Sequence, residues 1–206
     1  VGGSLEGETQ FTVHLYWGDY KSAVEVCVER LEKNPKNSLW LSNLGLIYSV
    51  LGDIENLKKV CEKYNKHHDG HACDRNLMGC YADKGDLESM HELQERRGVF
   101  ESEEDFSFQD MLAFAHFRAG NYEKAIELSL HNLETSPHDL YTINIYRVLG
   151  LAYLKQGKHE KAIETFKNRV SFAESSEEID LFYTQLAYLD VADAYRRKGD
   201  AEEAIN

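Results

Sequence analysis

The chain has 206 residues, 42% of them apolar, with 23 Lys plus Arg against 36 Asp plus Glu and a formal net charge of −13. This excludes disorder of the whole, and the negative charge works against nucleic-acid binding, which needs clustered Lys and Arg to displace counterions from phosphates. No apolar run is long enough to span a bilayer, and Val1 to Gly7 has neither a basic start nor an apolar centre, so neither membrane insertion nor secretion is expected.

Pro35 and Pro137 are the only prolines, so helices can run almost without interruption and the expected class is all-α. One motif recurs along the chain. GDYKSAVEV begins at Gly18, GDIENLKKV at Gly52, GDLESMHEL at Gly85, GNYEKAIEL at Gly120, GKHEKAIET at Gly157 and GDAEEAI at Gly199, in steps of 34, 33, 35, 37 and 42 residues. Self-similarity at such a period marks stacked repeats. The units are drawn as 4–37, 38–70, 71–105, 106–142, 143–184 and 185–206, one continuous array over 1–206.

Taken in chain order, each unit predicts a helix, a glycine turn and a second helix. The first has His14 four residues before its glycine, Ala23 five after it and Pro35 seventeen after. The second has Leu44, Gly45 and Tyr48 before its turn and Leu57 after it; the third has Leu77, Tyr81 and Met90, and loses the pattern beyond Glu92 in RRG and the acidic stretch Glu101 to Asp105. The fourth carries Leu112, Ala113, His116, Ala125 and Pro137, and the fifth Leu149, Gly150, Tyr153 and Ala162. In the sixth, Val191, Ala192 and Tyr195 precede Gly199, and the 42-residue step with ESSEE at 174–178 means either that both adjoining helices gain a turn or that their loop is longer. Leucine and tyrosine at helical spacing imply one buried face. Glycine admits the left-handed conformation that closes a helix, and Asp19, Asp53, Asp86, Asn121 and Asp200 suit the N-cap of the next. The sequence stops a few residues into a sixth second helix, leaving Ala201, Ala204 and Ile205 without packing partners; self-association through this end, or a continuing chain, is expected.

The Leu, small, Tyr, Gly, Ala, Pro pattern at a period near 34 resembles the tetratricopeptide repeat family over nearly the whole chain, most closely in FAHFRAGNYEKAIELSLHNLETSPHD and VLGLAYLKQGKHEKAIETFKNRV. The resemblance implies an α-solenoid, a right-handed superhelix of antiparallel helix hairpins whose first helices line a concave surface. It also implies a non-enzymatic scaffold that binds proteins or peptides, without a cofactor.

Other chemistry is weaker. HHDGHACD gathers His67, His68, His71, Cys73 and Asp74, but fits no zinc spacing and falls in a connector between repeats. Thiol catalysis would need a base beside a thiolate, with His71 or His91 approaching Cys73 or Cys80. Cys27 and Cys61 lie nine residues after a repeat glycine, where Phe166 stands in the fifth unit, so they are expected in the core. The four cysteines form no CxxC pair, which suits reduced thiols in the cytoplasm. His14 and His116 take the tyrosine place and are expected to pack. The acidic stretches are expected to be solvated.

Counting ten, six, three and two residues before each glycine gives the expected concave lining. In the last three units this yields Asp110, Phe114, Phe117 and Arg118; Arg147, Leu151, Leu154 and Lys155; and Leu189, Asp193, Arg196 and Arg197, five cations against two anions. An apolar stripe edged by cations suits a protein or peptide with hydrophobic anchors and acidic flanks. The anchors are then Phe114, Phe117, Leu151 and Leu154, and the steering charges Arg118, Arg147, Lys155, Arg196 and Arg197. A related subset clamps chaperone C-terminal carboxylates with Lys, Asn and Arg; here Glu8 and Thr12 stand in the first places, Asn43 fits the middle, and Ala72 and Asn76 replace the last, so that ligand is not expected. The alternatives are an intracellular receptor for a short signalling peptide, which would need an output domain outside these residues, and a metal-binding or thiol-active protein using the His67–Cys73 cluster.

Overall fold

The structure, a computed structural model, describes residues 3–68, 72–97, 106–135, 141–176 and 179–200. Eleven α-helices and no strand occur among them: α1 (Gly3–Tyr16), α2 (Tyr20–Lys33), α3 (Ser38–Val50), α4 (Ile54–Asn65), α5 (Ala72–Lys84), α6 (Leu87–Arg97), α7 (Phe106–Arg118), α8 (Tyr122–Thr135), α9 (Thr142–Lys155), α10 (His159–Ser175) and α11 (Leu181–Lys198). The chain divides into two compact units, Val1–Cys80 and Tyr81–Asn206, with the division inside α5.

Every repeat glycine closes a helix in the left-handed region, with φ of 71°, 67°, 67°, 83°, 71° and 97° at Gly18, Gly52, Gly85, Gly120, Gly157 and Gly199. The chain closes the same way six times. The amide of the residue after the glycine donates to the carbonyl five residues back, as in Asp19 to His14 at 2.9 Å, Asp53 to Tyr48 at 2.9 Å and Lys158 to Tyr153 at 2.9 Å. The glycine amide donates three residues back, as in Gly18 to Leu15 at 3.1 Å and Gly157 to Leu154 at 3.0 Å. This pair of bonds satisfies carbonyls that a helix end otherwise leaves open, and it needs a residue with no Cβ penalty at positive φ. Asp19, Asp53 and Asp86 then accept from the amides of Ser22, Asn56 and Ser89, capping α2, α4 and α6. Lys158 stands at the same place before α10 and makes no side-chain cap bond.

In the first unit α2 packs between α1 and α3, and α3 also packs on α4. A Cβ on Gly45 would lie 2.9 Å from the Cys73 sulfur, which explains the small residue seven before the glycine. In the second unit α7 packs on α8, α8 on α9, and α10 between α9 and α11. Its centre is Leu149, Tyr153, Ala162, Ile163, Phe166 and Ala194. Phe166 is fully buried, and a Cβ on Gly150 would fall within 2.4 Å of its ring, so the small residue and the large one are chosen together. Burying such a ring contributes roughly 2–3 kcal/mol. Cys27 and Cys61, at the corresponding place in α2 and α4, are buried in the first unit, as expected of small core residues.

The long step before Gly199 reaches the helices themselves. α10 has 17 residues and α11 has 18, against 11 to 14 for the others, so both adjoining helices gain about a turn. Pro137, Glu101 to Asp105 and the Ala201 to Ile205 end lie outside the described residues.

Candidate functional site

α7 and α9, the first helices of two successive hairpins, and α11 lie side by side in the second unit, since α9 contacts both of the others. This brings the expected lining residues onto neighbouring helices. Phe114 and Phe117 stack with ring centroids 6.4 Å apart, and Phe117 also meets Tyr122 at 5.9 Å. Leu151 and Leu154 are half-buried against the core, so they present part of their surface as a floor and do not project as free knobs. Between α7 and α9 runs a cleft of about 200 Å³ lined by Asp110, Met111, Phe114, Asn144, Arg147 and Val148. Its floor is apolar and its rim carries an amide and both charges.

The cations are exposed, and most are held. Arg118 Nε donates to the Asp83 carbonyl at 2.6 Å. Arg196 and Arg197 both bind Asp193, the latter at 2.6 Å, and the Arg196 hydrogen bond holds the Asp193 carboxyl below the usual range. Arg147 Nε lies 3.8 Å from Asp190. Lys155 is exposed and has no carboxylate partner among the described residues. Helix pairing thus fixes where the arginines point, while it neutralises part of their charge.

The geometry agrees with a sequence match. A family profile described as tetratricopeptide repeat matches residues 107–175, which hold α7 to α10. Over these residues the chain is similar to the tetratricopeptide repeat family. No curated protein matches the sequence significantly. Among solved structures, PilW, a type IV pilus biogenesis factor, superposes with a TM-score of 0.66 at 14% identity, covering 100% of this chain and 90% of its own. A tetratricopeptide repeat protein from Parabacteroides merdae gives 0.62 at 18%, covering 97% and 75%, and BtubC from P. vanneervenii gives 0.60 at 15%, covering 97% and 87%. At these identities the likeness is one of fold, and that fold suits a protein-interaction scaffold.

Two charged residues that support the α7–α9–α11 face are missing from the positional count. Arg169, on α10, is 1% exposed; its Nε donates to the Ile143 carbonyl at 3.0 Å and its guanidinium binds Asp190 on α11. Burial pushes the Asp190 carboxyl up and the Arg169 guanidinium down, each toward its neutral form, against the attraction between them. Asp190 therefore ties a buried cation beneath the face to Arg147 on it. Its signal in the sequence is an arginine at a buried second-helix place, which demands a carboxylate on the next helix. A count of first-helix lining places misses it.

The histidine and cysteine clusters are pulled apart. His68 Nε2 meets the Lys36 carbonyl at 2.5 Å, Asp74 is buried and receives Asn65 Nδ2 at 3.0 and 3.1 Å, and Cys73 is buried against Gly45. His67 is exposed, and His71 lies outside the described residues. No group of three possible metal ligands comes together among the described residues. Burial pushes the Cys27 thiol up to about 12, far from a reactive thiolate, and Cys80 Sγ lies 3.5 Å from Ser49 Oγ, a hydroxyl and not a base. His14 and His116 are half-buried and do more than pack: each reaches the residue after its glycine, His14 Nδ1 to Asp19 at 3.3 Å and His116 Nδ1 to Asn121 Nδ2 at 3.4 Å. Among the described residues no helix is long and apolar enough to cross a membrane.

Proposed function

We propose that this chain is a non-enzymatic scaffold in a reducing, cytoplasmic compartment and that the α7–α9–α11 face of its second unit binds a protein or peptide segment. Phe114, Phe117, Leu151 and Leu154 take its apolar side chains, and Arg118, Arg147, Lys155, Arg196 and Arg197 receive acidic flanks. The observation that carries the reading is the cleft between α7 and α9, with Phe114 and Val148 in its floor and Arg147 on its rim. An apolar anchor buried there supplies affinity, and the cations set orientation and encounter rate. Asp193 already takes up the charge of Arg196 and Arg197. Lys155 has no carboxylate partner among the described residues, and Arg147 has only a 3.8 Å approach to an Asp190 shared with Arg169, so these two are the steering groups with most to give. The test is calorimetric titration with a peptide of two leucines and a phenylalanine flanked by glutamates. Lys155→Glu together with Arg147→Gln weakens binding at least tenfold while circular dichroism stays unchanged. Equal affinity in the variant removes the site.

A further inference from the structure

The first unit carries a second surface of different chemistry. Tyr16 and Trp17, at the end of α1, are 83% and 77% exposed, and Val50 and Leu51, in the same register at the end of α3, are 52% and 50% exposed. Val13 and Leu46, one turn earlier on these helices, are exposed as well. Scattered apolar residues need no explanation, but two adjacent pairs repeated at one register position do. The exposure of α3 does not come from a missing neighbour. Trp40 packs edge-to-face on Phe11 of α1 at 6.0 Å, and on the other side Cys73 and Cys80 of α5 meet Gly45 and Ser49. With a helix on each flank, the end of α3 still faces outward.

Charge identifies the occupant. Neither α1 nor α3 contains a lysine or arginine, and α3 contains no acid either. Two residues beyond each exposed pair stands a carboxylate, Asp19 after Trp17 and Asp53 after Leu51. Hydrogen bonds from Ser22 and Asn56 hold both below the usual carboxylate range, so both are anionic at neutral pH. Lys59, which feels the Asp53 charge, is bound to Glu55 at 2.8 Å. An acidic segment would meet the repulsion of both carboxylates here, with no cation on α1 or α3 to receive it, and a phosphate-bearing lipid surface would meet the same repulsion.

We propose that the edge formed by Val13, Tyr16, Trp17, Leu46, Val50 and Leu51 docks a partner segment carrying apolar anchors flanked by lysine or arginine. Tyrosine and tryptophan are the residues that dominate interface energetics when they become buried, and this edge offers one of each in edge-to-face contact at 5.8 Å. This site is separate from the cation-edged face of the second unit and has the opposite charge preference.

The chain supplies its own reporter. Of its two tryptophans, Trp40 is 5% exposed and Trp17 is open, so a change in emission on binding reports Trp17. The probes are three peptides with one leucine–phenylalanine core and flanks of lysine, serine or glutamate, titrated into the intact chain. Followed by Trp17 emission, which reports the first-unit edge, the lysine-flanked peptide shifts the emission to the blue with at least tenfold tighter apparent affinity than the glutamate-flanked one. Tyr16→Ser with Val50→Ser weakens it at least tenfold in calorimetry, with helicity unchanged. Asp19→Asn with Asp53→Asn keeps a capping side chain at both positions and removes the charge, so it reduces the preference for lysine flanks at least threefold. Equal emission-detected affinity for the three peptides, or an unaltered affinity for the lysine-flanked one in the Tyr16, Val50 variant, overturns the proposal. So does the same blue shift on adding neutral phosphatidylcholine vesicles, which would assign the edge to lipid. Trp17 lies in the first unit, so its emission follows this edge, whereas the second-unit site is tested by calorimetry with the glutamate-flanked peptide; failure of one is distinct from failure of the other.

Discussion

The turn edge of the first unit reads Tyr16–Trp17 and Val50–Leu51, whereas the second unit, at the same register, has Asp83–Lys84, Arg118–Ala119, Lys155–Gln156 and Arg197–Lys198. The backbone at these places is the same: a glycine at positive φ and the same pair of closing hydrogen bonds. Local conformation at the turn therefore places no demand on the two residues before the glycine. They are free to carry surface chemistry, and one fold presents an apolar, acid-capped edge in one unit and a cation-edged apolar face in the other.

The largest test of this contrast is structural. The cation-edged face rests on a buried ion pair, so Asp190→Ala strands Arg169 without its carboxylate and lowers unfolding free energy by about 3 kcal/mol in urea denaturation. Arg169→Leu with Asp190→Leu recovers most of that loss. A cost under about 0.5 kcal/mol for Asp190→Ala would mean the pair does not organise the face. Next in size, Lys155→Glu with Arg147→Gln reduces affinity for the glutamate-flanked peptide about tenfold, near 1.4 kcal/mol, and the loss shrinks in high salt because the lost term is screened. If the loss persists undiminished in high salt, apolar contact and not charge distinguishes the faces.

A smaller effect tests the shared scaffold. No atom lies within 4 Å of a Cβ built on Gly52, so Gly52→Ala costs only the left-handed backbone, about 1 kcal/mol. An unchanged melting temperature would contradict the closing geometry. The smallest effect is titration of His116, whose folded pKa burial lowers below the usual histidine value. A depressed histidine contributes stability that is present above its unfolded pKa and lost as pH falls through the folded one. The melting temperature therefore falls slightly from pH 7 to pH 5. Replacing His116 with Tyr, the residue at this place in four of the six repeats, removes that part of the slope. An identical slope in both proteins would show that His116 does not titrate across folding.

The hairpins were legible because a turn glycine, a capping aspartate and a small residue facing a large one are each fixed by geometry that tolerates few alternatives. Gly45 against Cys73 and Gly150 against Phe166 are close approaches written directly as missing side chains. The residues proposed as anchors and steering cations of the second unit are register positions, and the side-by-side packing of α7, α9 and α11 brings them onto neighbouring helices. The anions that hold the arginines were only half legible. Asp193 lies among the counted lining places, but Asp190 belongs to a pair set by a buried arginine 21 residues earlier, and such coupling follows packing and not period. The apolar edge of the first unit was legible in part: Tyr16, Leu46 and Val50 stand six or two residues before a glycine, at lining places, whereas Val13, Trp17 and Leu51 fall outside that count and only their exposure adds them.

Calorimetric titration of the intact chain with the glutamate-flanked peptide, repeated on the Lys155→Glu, Arg147→Gln variant and on the Tyr16→Ser, Val50→Ser variant, tests the division of labour most directly. At least tenfold weaker binding to the first variant and unchanged binding to the second is the predicted result. Equal affinity for all three proteins, or loss confined to the Tyr16, Val50 variant, would contradict it.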